Sequence, residues 1–555
     1  MARSLALMRR RDFLAGCGAA ACGMALPGCA AQTPGLPPGE LSGSDFILGH
    51  RLIHGSFPPP DEIIPVPVLI VGAGIAGLSA AWRFCREGFT DFALLELERE
   101  AGGNARSGEN AISRYPLAGA HYLPLPNREA RAVRAMLADL GALHGDPSAE
   151  TPEYDERYLC HAPQERLYRL GAWQEGLLPR LGVPKAELEQ QGRFFARMES
   201  YRAARDRQGR RVFTLPVAYG GDASEWAALD RLTLRDWLLA EGFDAPSLHW
   251  YANYVCRDDY GTDYRQISAW AGVHYFACRT GQGLDAGDAV LTAPEGNGWL
   301  VHGLRDKIAA AGEKLLRTNQ AVYALSQDRR GCQADVWDAA QNRSLRYRAE
   351  QVIWAAPLFL LPHLARDLPA ELAATLATIE YAPWMVANLS LQAPPAHGAG
   401  YPLAWDNVLQ DSPSLGYVVA THQKIRLTPG PTVLTYYHPL SETAPAAARK
   451  TLLRNTRKIW AERILADLSH AHRDIRALTT RLDVFRNAHA MARPLPGFRD
   501  SVRQGRLAAG WERVRFAHAD VSGLSLVEEA NYWGVLAAEE LLAARHGGTL
   551  RERLV

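Results

Sequence analysis

The sequence predicts an α/β protein with a Rossmann-like dinucleotide-binding domain, and three observations support this fold class. A glycine-rich turn at residues 72–77 lies between a buried strand pattern and a helical pattern, which is the setting of dinucleotide-binding turns. Strand-like runs alternate with helical patterns along most of the chain, as they do in α/β folds. With 555 residues, of which 47% are hydrophobic, the chain is long enough for two or more lobes around a bulky ligand.

Composition excludes several other classes. The chain is 22% charged, with 61 basic and 60 acidic residues, so it is neither disordered nor collagen-like. A net charge of +1 gives no field that attracts nucleic acid, and we expect no nucleic-acid partner. The eight cysteines are sparse and form no CxxC or Cys/His cluster. The sequence therefore predicts neither a disulfide framework nor a metal site.

The first 28 residues resemble a bacterial twin-arginine export signal. The motif Arg9-Arg10-Arg11-Asp12-Phe13-Leu14 is followed by a weakly apolar run to Gly28, as in such signals. The run is shorter than the roughly 20 residues that span a bilayer. This segment has a net charge of +3, which leaves −2 for the rest of the chain. The resemblance implies a periplasmic protein that is exported already folded, with a tightly held cofactor.

The segment after this signal has two interpretations. Leu26-Pro27-Gly28-Cys29 resembles a lipobox, in which Cys29 would be lipidated and would anchor the protein to the membrane. Cleavage near residue 31 would instead leave a soluble periplasmic protein. Residues 29–62 are rich in proline and glycine, which predicts a tether. The folded part is expected to start near Ile63.

The glycine-rich turn Gly72-Ala73-Gly74-Ile75-Ala76-Gly77 follows a predicted strand at residues 66–71. We expect Gly72 to permit the tight turn, Gly74 to let the backbone approach a pyrophosphate, and Gly77 to allow close helix–strand packing. Ile75 and Ala76 open the next helix, whose free amides and positive dipole attract phosphate. The turn therefore predicts a dinucleotide phosphate site.

A second predicted strand, at residues 92–95, is followed by Glu96, which lies 19 residues after Gly77. A carboxylate at this spacing binds the ribose hydroxyls of a dinucleotide. It disfavours the 2′-phosphate of NADP, whereas NAD and FAD both remain open on these residues alone.

The residues after Glu96 contain the doublet Gly102-Gly103 followed by Asn104-Ala105-Arg106. This run resembles the signature of the flavin-dependent amine oxidase and phytoene desaturase superfamily, and the resemblance implies FAD. Similar blocks recur at residues 115–122, 296–300, 352–357 and 514–540. Beyond the glycine-rich turn and Glu96, the resemblance places these residues at the cofactor: Gly102, Gly103, Asn104, Ala118, Gly119, Ala120, Val322, Ala355, Asp520, Val527 and Glu528.

The resemblance also implies an amine oxidase-like architecture. A Rossmann-like FAD-binding domain of the GR2 type would carry an inserted α+β substrate domain. After the signal at 1–28 and the tether at 29–62, the expected FAD-binding segments are 63–125, 291–365 and 506–555. The expected substrate segments are 126–290 and 366–505.

Catalytic residues are less clearly indicated. The superfamily usually places a lysine near flavin N5, but the matching run at residues 381–388 has none, and only Lys424 lies near a plausible substrate segment. Leu526 stands where monoamine oxidases have a cage tyrosine. His489 and His121 lie in segments that the resemblance places beside the flavin, and imidazole titrates near neutral pH. Both are candidate proton carriers, with a hydrogen-bonded structural histidine as the alternative.

Residues 253–261 are dense in aromatic and charged side chains and are a candidate wall of the substrate site. The alternative is that Arg257 and Asp258 form a structural ion pair. The last cysteine is Cys332, so none is available in the C-terminal segment that links flavin covalently in monoamine oxidases. We therefore expect noncovalent FAD.

These expectations together indicate an exported FAD-dependent oxidoreductase. The first expectation is oxidation of a small amine, possibly a polyamine, by hydride transfer to flavin N5, with oxygen or a membrane carrier as electron acceptor. One alternative is a desaturase or isomerase of a lipid-like substrate, which the missing lysine and the apolar run at residues 384–386 favour. The other is a non-catalytic flavin-binding lipoprotein.

Overall fold

Two β-sheets organise the computed structural model, and each sheet is built from separated parts of the chain. The structure describes residues 35–221, 224–279, 289–545, 550 and 552–555. Residues 38–555 form one unit and residues 1–37 a separate one. The predicted export signal and Cys29 lie outside the described residues.

Within the described residues the strands, β1 to β21 in chain order, are Leu41–Gly43, Glu62–Val71, Phe92–Leu95, Ser107–Glu109, Arg114–Pro116, Leu123–Pro124, Leu143–His144, Glu153–Tyr154, Glu165–Arg169, Ala172–Glu175, Val290–Leu291, Leu316–Arg317, Gln320–Asp328, Gly331–Asp338, Arg343–Trp354, Tyr381–Leu391, Asp406–Leu409, Tyr417–Val419, Thr432–Pro439, Thr479–Ala492 and Val514–Phe516.

The α-helices of the same residues, α1 to α15, are Phe46–His54, Ile75–Arg86, Arg131–Asp139, Lys185–Arg202, Leu234–Ala240, Pro246–Tyr260, Ala269–Ala277, Gly298–Ala311, Leu361–Leu364, Ala370–Ala377, Pro445–Arg454, Arg457–Leu468, Ile475–Leu478, Ser501–Ala509 and Val527–Arg545. No helix among them is both long and apolar enough to cross a membrane.

The first sheet is the expected dinucleotide-binding sheet. Its order is β12-β3-β2-β15-β14-β13, with β21 paired to β15. The pairs β12–β3, β3–β2, β2–β15 and β15–β21 are parallel, and helices α2 and α15 pack closely against each other beside this sheet. Strand residues 68–71 are fully or almost fully buried, as expected for a parallel strand covered on both faces. The predicted α/β fold with a Rossmann-like domain is therefore confirmed.

The second sheet has the order β1-β20-β16-β19-β18-β17-β9-β10. Its central strand β16 is buried along all 11 residues and pairs antiparallel with both β19 and β20. Helices α4 to α7 pack around a separate aromatic core that contacts this sheet. This part of the chain is the second lobe.

The predicted tether over residues 29–62 is wrong from Leu41 onward. Strand β1 pairs with β20, and helix α1 follows it at once. Asp45 caps this helix because its side chain accepts a hydrogen bond from the backbone of Leu48, as N-cap residues do. Leu48 and Leu52 are buried. The high proline and glycine content of the surrounding residues concealed this apolar pair.

Candidate cofactor and substrate site

A cavity of about 720 Å³ lies between the two sheets. Its walls come from the glycine-rich turn, the Gly102-Gly103 segment and helix α15 on one side, and from β20 and helix α11 on the other. Among the residues predicted from sequence, those that line it are Gly72, Gly74, Ile75, Ala76, Glu96, Gly102, Gly103, Asn104, Ala120, Val322, Ala355, His489, Asp520 and Val527. Fourteen scattered positions are thus gathered around one cavity.

The glycine-rich turn has the shape that a dinucleotide requires. Gly72 has φ +97° and a Cβ there would lie 2.8 Å from the amide nitrogen of Ala356. A Cβ at Gly77 would lie 1.9 Å from the carbonyl oxygen of Gly72, so helix α2 reaches the turn only because this residue has no side chain. A Cβ at Gly74, in contrast, would meet no protein atom within 4 Å. Gly74 therefore borders open space at the start of α2, where a pyrophosphate fits.

Glu96 lies directly after β3 and faces the same cavity. Its carboxylate accepts hydrogen bonds from the backbone of Ala73 at 2.8 Å and of Glu98 at 2.9 Å. Burial raises the pKa of Glu96, although these two backbone donors oppose the shift. The carboxylate is thus held rigidly where the ribose of a dinucleotide is expected.

The segment with the glycine doublet connects the two lobes. Gly103 has φ +55°, and the next residue, Asn104, donates from its amide to the carbonyl oxygen of Ala490 at 2.6 Å. Asn487 in turn donates to the side-chain oxygen of Asn104 at 2.8 Å. Both partners are on β20 of the second sheet. Sequence reasoning missed Asn487, which lies far from the doublet along the chain.

Asp520 forms the centre of a buried hydrogen-bond group. It accepts from the Tyr381 hydroxyl at 2.5 Å and from the backbone of Leu358 at 3.0 Å, and His518 lies 3.1 Å away. Burial opposes ionisation of Asp520, but His518 and these hydrogen bonds outweigh it and lower the pKa. Asp520 is therefore a fixed negative charge at the cavity wall.

Four predicted cofactor residues do not line the cavity. Gly77 supports the turn from below, and the backbone of Ala118 donates to the carbonyl of Arg106 beside it. A Cβ at Gly119 would lie 3.1 Å from Val386 of β16. The side chain of Glu528 turns inward to a salt bridge with Arg279 at 2.5 Å, so only its backbone remains for a cofactor.

His489 and His121 have different surroundings. His489 lines the cavity and stacks on Phe359 with ring centroids 4.5 Å apart. Burial first, and then the positive charges of Arg449 and His50, lower its pKa to about 4, so it is neutral at pH 7. His121 does not line the cavity. It hydrogen-bonds the carbonyl of Gly119 at 2.7 Å, and burial lowers its pKa to about 4, which is the expected pattern of a structural histidine.

No lysine occurs on strand β16. Lys424, the lysine that sequence reasoning singled out, donates to the carbonyl of Ile112 at 3.1 Å and does not line the cavity. Lys450 of helix α11 does line the cavity. Its position was not expected, because it belongs to a helix that sequence patterns did not connect with the cofactor.

A group of carboxylates and tyrosines lies next to this cavity, and we call it the acidic cluster. Burial raises the pKa of Asp406 to about 7 and that of Asp259 to about 6. Burial, together with the charges of Asp259 and Asp406, raises the pKa of Asp258 well above its usual range. The Tyr437 hydroxyl donates to Asp406 at 2.7 Å, and the Tyr122 hydroxyl to Asp258 at 3.4 Å. Tyr254 is the sixth member of the cluster and also hydrogen-bonds Asp406.

The acidic cluster combines residues from distant parts of the chain. Tyr254, Asp258 and Asp259 are on helix α6, whereas Asp406 and Tyr437 are on β17 and β19. The alternative that Arg257 and Asp258 form an ion pair is wrong. Arg257 instead contacts Glu442 at 3.6 Å and Ser441 at 3.0 Å. Asp258 and Asp259 are both only partly exposed.

Residues 120–122 connect the cofactor cavity with the acidic cluster. Ala120 lines the cavity, and Tyr122 of the cluster follows two residues later, within about 7 Å along the backbone. Asn297 fixes this segment, because its backbone donates to the Ala120 carbonyl at 3.0 Å and its side chain to the Tyr122 carbonyl at 2.8 Å. A small molecule held by the cluster would therefore lie close to a cofactor in the cavity.

Comparison with known proteins identifies the family. The family model described as flavin containing amine oxidoreductase matches residues 75–542, and the chain belongs to this family. It is an FAD-dependent oxidoreductase. No curated protein sequence matches it significantly.

Solved structures with the same fold include two amine oxidases. Putrescine oxidase bound to putrescine has a TM-score of 0.64 at 15% identity, covering 87% of this chain and 100% of its own. Cyclohexylamine oxidase from Brevibacterium oxydans IH-35A has a TM-score of 0.61 at 15% identity, covering 87% and 99%. A fatty acid isomerase from P. acnes that produces CLA has a TM-score of 0.58 at 14% identity, covering 86% and 98%. At these identities the likeness concerns the fold.

Proposed function

We propose that this enzyme oxidises a small amine, preferably one with two cationic nitrogens, and that the acidic cluster binds the cation. The observation that carries the proposal is the convergence of Asp258, Asp259 and Asp406 beside the cofactor cavity. Buried carboxylates are costly unless a positive charge or hydrogen bonds compensate them. Arg279 offsets part of this cost at Asp259. An ammonium group would supply further positive charge to the cluster, and the tyrosine rings around it would add cation–π attraction.

The chain's own residues would position the substrate rather than perform the redox step. Bound FAD supplies the hydride acceptor. Asp258 and Asp259 would hold one ammonium group, and Asp406 would orient the other through a charge that Tyr254 and Tyr437 stabilise by hydrogen bonds. His489 is neutral at pH 7 and lines the cavity wall. A proton that it accepts would therefore come from a group at that wall. We propose oxygen as electron acceptor, in keeping with the oxidases of similar fold.

The lipid alternative has less support. A lipid-like substrate needs a continuous apolar passage, whereas the space next to Ala120 is bordered by Tyr122 and ionisable groups. A fatty acid would also bring its own carboxylate close to three others, which is electrostatically unfavourable.

The test is anaerobic reduction of the flavin by a panel of diamines, monoamines, amino acids and unsaturated fatty acids, with peroxide followed in air. We expect a short diamine to bleach the flavin fastest. Asp258→Asn should raise KM for that diamine at least tenfold, because the carboxyl group that would ionise to bind the ammonium is lost. Asp244→Asn is the matched control, since Asp244 lies just before α6 and hydrogen-bonds Gln190 at the surface.

Two outcomes of this panel contradict the proposal. If no amine reduces the flavin, amine oxidation is excluded. If amines reduce it but Asp258→Asn and Asp244→Asn behave alike, the acidic cluster is not the binding site. Reduction by a fatty acid alone would support the lipid alternative.

We also propose that the protein works in the periplasm after twin-arginine export. The support is the motif at residues 9–14. Replacing Arg9, Arg10 and Arg11 by lysine should retain the protein in the cytoplasm, as measured by cell fractionation. Labelling with a radioactive fatty acid tests lipidation, and Cys29→Ala should abolish any label. Unchanged fractionation of the lysine variant would contradict export by this route.

A further inference from the structure

The family match begins at residue 75, but the cofactor cavity also contains residues that precede it. Residues 41–54, which we call the N-terminal strap, comprise β1 and α1. Strand β1 adds to the edge of the second sheet beside β20, and α1 contacts β13 and helix α9 of the first lobe. Fourteen residues thus cross from one lobe to the other over the opening between them.

A chain of hydrogen bonds connects the strap to Glu96, the carboxylate that is expected to bind the ribose. The backbone of Asp45 donates to the Glu98 carboxylate at 2.9 Å. The backbone of Glu98 in turn donates to the Glu96 carboxylate at 2.9 Å. On the next turn of α1, Leu48 and Leu52 are buried in the core of the first lobe. A movement of the strap would therefore disturb the residues that surround the expected ribose site.

The strap also forms part of the cavity wall. Gly49, His50, Leu52 and Ile53 line the cavity, and Ile47 on the opposite face of the helix is 73% exposed. The helix thus has one side turned to the cavity and the first lobe, and the other side turned to solvent.

Basic side chains face the strap from the second lobe. Arg449 and Lys450 of α11 and Arg486 of β20 line the same cavity. Arg486 donates to the carbonyls of Ser42 and Leu453, and its guanidinium lies 5.5 Å from the Phe46 ring of the strap. These cations and the glycine-rich turn border one space, and the pyrophosphate of a dinucleotide carries two negative charges that they attract.

We propose that the N-terminal strap belongs to the FAD site and slows release of the cofactor by closing over it. FAD could leave through this side only if α1 moves away from the first lobe, because the strap spans the gap between β20 and β13. This role of the strap does not depend on which substrate the enzyme oxidises.

The test is the rate of FAD release from the purified holoprotein, followed by the rise of free FAD fluorescence after dilution to a concentration at which released FAD does not rebind. Leu48→Ala weakens docking of the strap without touching the cavity, and we expect at least tenfold faster release. Ile47→Ala is the matched control on the exposed face and should release FAD at the wild-type rate.

Two further measurements separate the strap from general destabilisation. Leu376→Ala removes a buried leucine of the same lobe that does not line the cavity, and it should leave the release rate within twofold of wild type. A protease site in place of residues 58–60 allows the strap to be cut off from the folded holoprotein, which also covers the case that Leu48→Ala fails to fold. Release should then accelerate on cleavage. Equal rates before and after cleavage, or equal acceleration by Leu376→Ala, would overturn the proposal.

Discussion

Single buried carboxylates control how the acidic cluster responds to pH. Burial raises the pKa of Asp406 to about 7 and that of Asp259 to about 6, whereas an unfolded aspartate titrates near 4. Folding therefore favours the protonated forms, and the contribution of both groups to stability falls as pH rises from about 4 to 7. A cationic substrate reverses this preference, because it binds the ionised forms.

The resulting prediction is that affinity for a diamine increases with pH. We expect the Kd to fall at least tenfold between pH 5 and pH 8, since Asp259 and Asp406 become ionised in this window while an aliphatic amine stays cationic. Titrating the flavin absorbance with a non-oxidisable diamine analogue at each pH measures this. A pH-independent Kd would show that these carboxylates do not contact the ligand.

Substitution by alanine should have different effects at two glycines of the same turn, lowering FAD affinity at one and folding stability at the other. Gly74→Ala adds a methyl group in open space, so the apoprotein should keep its Tm while FAD affinity falls at least tenfold. Gly77→Ala places a methyl group against the Gly72 carbonyl, and such overpacking costs of order 3 kcal/mol of folding stability. Thermal unfolding of both apoproteins, together with FAD titration, distinguishes them. Loss of stability in Gly74→Ala would contradict this account of the turn.

Helix α15 packs on helix α2 of the first lobe. A Cβ at Gly534 would lie 2.2 Å from the carbonyl of Ala76, so α15 and α2 are in direct backbone contact. The first turn of α15 contains Glu528, whose side chain is 2% exposed and forms a salt bridge with Arg279. This salt bridge connects the helix to Arg279, which lies two residues after α7. Glu528 therefore serves the junction between lobes through its side chain.

The corresponding prediction compares two glutamates of that helix, Glu528 and Glu540. Glu528→Gln removes the salt-bridge partner of Arg279 and leaves Asp259 as its acidic neighbour, and we expect a loss of about 3 kcal/mol in unfolding free energy with little change in FAD affinity. Glu540→Gln breaks an exposed pair with Arg515 and should cost less than about 1 kcal/mol. Denaturant unfolding measures both. A strong loss of FAD affinity in Glu528→Gln at unchanged stability would restore the role at the cofactor that the sequence suggested.

The cofactor cavity lies between two lobes that are each made of separated segments. The hydrogen bonds of Asn104 with Asn487 and Ala490 cross this boundary, and the strap crosses it again. A cofactor between the lobes should therefore couple their unfolding.

We expect acid precipitation to release FAD into the supernatant, because the segment after Cys332 contains no cysteine. Flavin left in the pellet would indicate a covalent bond.

Adding FAD back at 100 times its Kd should stabilise the protein by about 2.7 kcal/mol. Calorimetry should show one transition that moves as a whole to higher temperature. Two transitions, of which only one shifts, would indicate that FAD binds to a single lobe.

The local part of the cofactor site was accessible from the sequence. The glycine-rich turn, the strand before it and Glu96 lie within one short stretch, and their spacing follows from strand and helix geometry. The resemblance to flavoproteins then predicted the remaining segments of the first lobe. Residues 41–54 were assigned to a tether because the surrounding sequence is rich in proline and glycine. Two buried leucines hold this segment on the first lobe, and two residues have little effect on the average composition.

Tertiary structure alone decided the substrate side. Asp258 and Asp406 are far apart in the sequence and meet only because helix α6 packs beside β17 and β19. The same packing gives Arg257 a partner other than its neighbour Asp258, and turns Glu528 towards Arg279. Motifs fix contacts between residues that are close along the chain. Electrostatic partners across a core depend on which elements pack together, and no local pattern encodes that.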